Sequence, residues 1–61
     1  MANITSKELT AIEDQLNLER NLVKKYQTYA SMCTDPQIKS TCEQVAGQHQ
    51  NHYNKLLCYL N

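Results

Sequence analysis

The chain has very little with which to make turns. It carries one glycine and one proline in 61 residues, and no tryptophan or phenylalanine. A sandwich or barrel needs a turn signal about every ten residues, so a strand-and-turn fold is excluded. Net charge is also missing: six Lys and Arg balance six Asp and Glu. A neutral chain has no global drive toward nucleic acid or an anionic membrane, and neither partner is expected. No apolar run approaches the roughly 18 residues of a membrane span. The N-terminus lacks the apolar core of a signal peptide, so the expectation is a protein made in the cytoplasm and not secreted by that route. There is no Cys-x-x-Cys motif, no glycine-rich phosphate loop and no nucleophile–base pair with an oxyanion device. Nothing therefore points to an enzyme.

What is present reads as helix. Thr5-Ser-Lys-Glu8 has the form of a capping box, with Ile4 and Leu9 placed for a hydrophobic staple. From there the first helix is expected to run over about residues 6–33. Its seam is Leu9, Ile12, Leu16, Glu19, Val23, Tyr26, Ala30 and Cys33, alternating steps of three and four. Leu18, Leu22, Tyr29 and Met32 form a further stripe, wider than one partner helix requires. Thr34-Asp35-Pro36 is the one break. Proline disfavours the α region for the residue before it and suits the first turn of a helix, which makes Asp35 the N-cap of a second helix. That helix is expected over about 36–60, with the turn at 34–35. Its seam reads Ile38, Cys42, Val45, His49, His52, Leu56 and Tyr59, flanked by Ala46, Tyr53, Leu57 and Leu60. Gly47 lies off this seam and finds no explanation in the pattern. The fold class is all-α: one domain, an antiparallel helical hairpin.

Sixty-one residues bury too little surface for comfortable stability. The extra apolar stripes call for a homodimer closing an antiparallel four-helix bundle. Three cysteines cannot all pair within one chain. Cys33 and Cys42 fall on the seams as small apolar groups. Cys58 falls at the surface, where it is a free thiol or forms an intermolecular disulfide.

Folding the hairpin about residues 34–35 brings together positions whose numbers sum to roughly 69. Glu19 then faces His49, with His52 one turn away, while Tyr26 faces Cys42 and Leu16 faces His52 and Tyr53. Two-fold symmetry would gather two Glu19, two His49 and two His52 at one level. Imidazole and carboxylate together suit zinc, iron, copper or nickel. The competing reading is a hydrogen-bonded Glu19–His49 pair that sets register and orientation, with His52 bonded to Tyr26 or to water. A third reading treats Asn17, Arg20, Asn21, Lys24 and Lys25 as an RNA-binding face. The neutral charge weighs against it, and a solvated face is the simpler account.

Leu16-Asn-Leu-Glu19, Tyr26-Gln-Thr-Tyr-Ala30, Thr34-Asp-Pro-Gln-Ile-Lys39 and His49-Gln-Asn-His52, in this order and spacing, carry a family resemblance over nearly the whole chain. The chain resembles the small spore coat proteins of anaerobic spore-forming bacteria, related to the Coat F group, and half of a ferritin-like bundle. The resemblance implies a ferritin-like fold, a structural role in a spore coat or surface layer, and self-association with further coat proteins. It matches Glu19 to the first-helix carboxylate ligand and His52 to the histidine of Glu-x-x-His. Tyr26 would stand behind the ligands. His49 occupies the position of that motif's glutamate. The departure moves the expected site away from di-iron chemistry toward zinc or copper.

Overall fold

The computed structural model describes residues 4–60. Among them there are two α-helices and no strand: α1 spans Ser6–Met32 and α2 spans Pro36–Leu57, followed by a 3₁₀ turn at Cys58–Leu60. The helices pack against each other as a hairpin about 46 Å long and 14 by 11 Å across.

Local chemistry sets each helix end. The Thr5 amide donates to Glu8 Oε1 at 2.9 Å, and the Glu8 amide donates to Thr5 Oγ1 at 3.1 Å. This reciprocal box satisfies two of the amides that a helix start leaves without partners. Asp35 Oδ1 accepts from the amides of Gln37 at 2.8 Å and Ile38 at 3.1 Å, with Pro36 in the first helical position. At the other side of the turn Cys33 is extended, with φ −74° and ψ 135°, and caps α1 instead of ending it as a helical residue. Its own amide donates back to the Tyr29 carbonyl at 3.0 Å. The end of α2 tightens to 3₁₀ geometry, a common way to use the last carbonyls of a helix.

The core is narrow. Among the described residues, Leu16, Glu19, Val23 and Ala30 from α1 and Cys42 and Ala46 from α2 are buried, and no side chain falls below 2% exposure. On α1 the expected seam faces α2, although Leu9 at its start is 37% exposed. Ile4, placed by the sequence beside Leu9, lies with Ile12, Leu56 and Tyr59 around an apolar hollow at the open end of the hairpin.

On α2 the packed face is rotated from the expected one. Cys42, Ala46, His49, Tyr53, Leu56 and Leu60 are buried or half-buried, whereas Ile38 and Tyr59 are 55% and 57% exposed. Two overlapping heptads share Cys42, His49 and Leu56, and periodicity cannot rank them. Size ranks them: Ala46 and Cys42 are buried, as is Ala30 on α1, and small side chains suit close helix packing, whereas on the other line Ile38, His52 and Tyr59 are exposed and Val45 is half-buried.

The two flanks of the hairpin differ. Helical periodicity puts Leu22, Tyr26 and Tyr29 of α1 on the same side as Ile38, Val45 and Tyr59 of α2. The opposite groove is lined by Arg20, Lys24, Gln27, Lys39, Glu43 and Gln50. Gly47 lies on this polar side, where a Cβ would meet nothing within 4 Å. None of the described helices is long and apolar enough to cross a membrane.

Candidate functional site

Glu19, His49 and His52 converge halfway along the hairpin. Glu19 comes from the middle of α1 and is 6% exposed. His49 lies opposite on α2, and its Nδ1 is 2.6 Å from Glu19 Oε1. His52, one turn further on, has Nδ1 at 3.4 Å from Glu19 Oε2. The two imidazoles meet edge to face, with ring centroids 5.6 Å apart. Donor atoms of all three residues lie within 4.8 Å of one another, the one such cluster of three or more His, Cys, Asp or Glu among the described residues.

The layer contains two residues in roles that the seam pattern did not assign. Gln15, one turn before Glu19 on α1, donates from Nε2 to Glu19 Oε2 at 3.2 Å. A Gln and a carboxylate spaced i,i+4 are natural neighbours on a helix, so this partner was legible in the spacing. Tyr26 stacks on His49, with centroids 6.2 Å apart and planes at 23°, rather than facing Cys42. Helical side chains lean toward their own N-terminus, so the long Tyr26 ring reaches back along α1 to the level of His49. Tyr29 packs edge-on against Tyr26 at 5.6 Å and extends the aromatic row toward the turn.

Opposing influences act on the Glu19 carboxyl. Burial, the largest single influence, pushes its pKa up. The hydrogen bonds from His49 and Gln15 and the attraction of both imidazoles pull it down, and together they prevail. Glu19 therefore stays ionised in the fold, and no buried side-chain nitrogen or oxygen among the described residues lacks a partner.

His52 departs from its expected place in the core. Its side chain is 54% exposed, against 23% for His49 and 8% for Glu19. It sits on the apolar flank, so the layer opens to that side. An N₂O donor set suits a borderline divalent ion of the zinc or copper type. Two ligands of a tetrahedral zinc stand roughly 3.3 Å apart if each bond is about 2.05 Å. The His52–Glu19 separation of 3.4 Å already fits that edge, while the 2.6 Å His49–Glu19 contact is a hydrogen bond. A metal would displace the shared proton and widen that contact by roughly 0.7 Å.

Cys58 is exposed, and its thiol donates to the Asn54 carbonyl at 3.5 Å. Arg20 and Lys24 line the polar groove, and Lys25 Nζ lies 5.8 Å from the centroid of the Tyr29 ring. Comparison with known proteins finds no matching family model, no significant match among curated proteins and none among solved structures.

Proposed function

We propose that this chain is a structural, self-associating protein whose hairpins pair through the apolar flank into a four-helix bundle of ferritin-like arrangement. One observation carries the reading: the polar layer of Glu19, His49 and His52 reaches, through the exposed His52, the flank on which the apolar side chains of Tyr29, Ile38 and Tyr59 are exposed. A carboxylate–imidazole layer at such a place is a register device, because a shifted partner would bury charge against Ile38 or Tyr29. Surface area supports a second copy as the partner. The chain exposes 4746 Å² for 7.0 kDa, roughly 700 Å² more than a compact monomer of that mass. A standard interface covers about 800 Å² on each partner. The resemblance to small spore coat proteins supplies the setting, a coat or surface layer in which dimers pack with one another and with other coat proteins, cross-linked through the exposed Cys58.

Sedimentation equilibrium of the purified protein tests the dimer. The expected result is a dimer for the wild type and a monomer for the Tyr29→Lys/Ile38→Lys variant. Both residues are exposed in the hairpin, so the substitutions should leave its helices intact. A folded wild-type monomer at high concentration would overturn the pairing. For the coat setting, mass spectrometry of the coat fraction of spores from the source organism should detect the chain; its confinement to the spore core would remove that part.

A metal-filled layer is favoured by a second observation, the exposure of His52 in the hairpin. Hydrogen bonds from His49 and Gln15 already satisfy Glu19, so a register pair has little use for His52. A three-donor metal site uses it as the third ligand and leaves an open position for water or for a residue of the second copy. Elemental analysis, with thermal melts in zinc and in chelator, separates the two readings. Metal binding predicts a zinc-dependent rise in melting temperature that His52→Ala abolishes. An unchanged melt and no bound metal leave the hydrogen-bonded layer as the account.

A further inference from the structure

The polar flank of the hairpin carries charge that the chain does not pair. Thr10, Glu13, Asn17, Arg20, Lys24 and Gln27 follow one another along α1 at alternating steps of three and four, with Ser6 and Ser31 continuing the stripe at its two ends. All of them are exposed. Arg20, Lys24 and Gln27 also line a hollow of about 320 Å³ between the helices. The ion pairs among the described residues are those of Glu19 with His49 and His52, so Glu13, Arg20 and Lys24 take part in none. Arg20 and Lys24 stand one turn apart, where like charges repel on an isolated helix.

The stripe is acidic before its midpoint and basic after it. Turned end for end about an axis midway between Asn17 and Arg20, it meets a copy of itself in register, because its steps read the same in both directions. Antiparallel helices pair in this way, each position of one sort against the other sort. Glu13 then lies against the partner's Lys24, twice. The Asn17 side-chain carbonyl lies where the partner's Arg20 can donate to it, also twice. Outward from these, Thr10 meets Gln27 and Ser6 meets Ser31. The Thr10 and Ser31 hydroxyls are bonded back to the carbonyls of Ser6 and Thr28, at 3.0 and 2.7 Å, and no charge opposes another at the ends. From Ser6 to Ser31 the contact spans about 38 Å of helix at 1.5 Å per residue. A parallel copy in register would instead set Glu13 against Glu13 and Lys24 against Lys24, which costs free energy.

We propose that this stripe is a second self-association face, on which α1 packs antiparallel against α1 of another copy through two Glu13–Lys24 ion pairs around two Asn17–Arg20 hydrogen bonds. The occupant is a second copy of this chain because the stripe complements itself, whereas a net charge of zero gives no general attraction for anions. The face lies opposite the apolar flank. It therefore joins pairs formed there into rows, and without such pairs it gives a dimer by itself. Exposed ion pairs are weak and screened by salt. The face accordingly works at low ionic strength, and at high salt the apolar flank acts alone.

Sedimentation velocity of the full chain at low salt and at about 1 M salt, where the screening length is about 3 Å, tests this. The wild type should sediment as a larger species at low salt than at high salt. Glu13→Lys and Lys24→Glu each set like charges together twice. Each variant alone should associate through this face on the order of tenfold more weakly, with unchanged helix content by circular dichroism. Mixed in equal amounts, the two variants should regain the low-salt species, because every contact between them joins opposite charges. A wild type of equal size at both salt concentrations would overturn the proposal, as would a mixture no larger than its separate components. Loss of association in Lys24→Glu alone would assign the basic residues to a different anionic partner and overturn it too. The high-salt species reports the apolar flank by itself, so the two faces hold or fail independently.

Discussion

His49 Nδ1 and Glu19 Oε1 meet at 2.6 Å, although 30 residues of chain separate them. The contact joins the two helices at mid-length and charges a core that is otherwise apolar and thin. Its two halves should not be separable. Replacing His49 by Leu leaves the buried Glu19 with Gln15 and the half-exposed His52, and should cost about 3 kcal/mol. Replacing both residues by Leu should recover most of that, because no buried charge remains without its main partner. Urea denaturation of the single and double variants measures the coupling. Equal losses in both would mean that the carboxylate does not depend on His49.

Acid should remove the contribution of this layer in a defined window. Folding lowers the Glu19 pKa from its ordinary value of 4.5. A carboxylate lowered by folding stabilises the fold above its unfolded pKa, and the contribution disappears as pH falls through the lowered value. The Glu19 contribution should therefore be complete above about 4.5 and decline below it. The Glu8 carboxyl, lowered by its backbone and side-chain bonds with Thr5, adds to the same slope. Glu19→Gln should flatten the acid limb without abolishing it. An identical slope in that variant would assign the whole effect to Glu8 and other groups.

Gly47 offers a stabilising substitution. It sits inside α2 with open space where a Cβ would project. Alanine there should raise stability by up to about 1 kcal/mol through helix propensity alone. A shift in the urea midpoint with an unchanged slope is the expected reading. A loss of stability would show that something packs into this polar groove in solution, and cross-linking of the variant and the wild type would then be compared.

The two N-caps should differ in weight. Thr5→Ala removes one side of the capping box at a helix end that carries few tertiary contacts, and should cost about 1 kcal/mol or less. Asp35→Ala removes the acceptor for two amides at the turn, so its cost should lie nearer 2 kcal/mol. Amide hydrogen exchange at Gln37 and Ile38 should rise in the second variant and stay unchanged in the first. Equal exchange would mean that Pro36 alone starts α2.

Much of this hairpin is written in short-range signals. The capping box at Thr5, the cap at Asp35 and the break at Pro36 act within four residues, so spacing alone reveals them. The level at which Glu19 meets His49 followed from the rise per residue on either side of a very short turn. The orientation of Tyr26 did not, because it depends on the lean of a long side chain and on the space beside His49.

By itself, the sequence determined that the chain is two helices with one turn, and that a carboxylate and an imidazole share one level. Those features depend on caps, breaks and counting, which involve neighbours along the chain. The tertiary structure decided which of two overlapping heptads on α2 packs inward. That choice buried Ala46 and Cys42 in preference to Ile38 and sent His52 to the flank. The physical reason is close packing: small side chains at Ala30, Cys42 and Ala46 allow the helices to approach, and no periodicity records the shape of the surface a residue will meet.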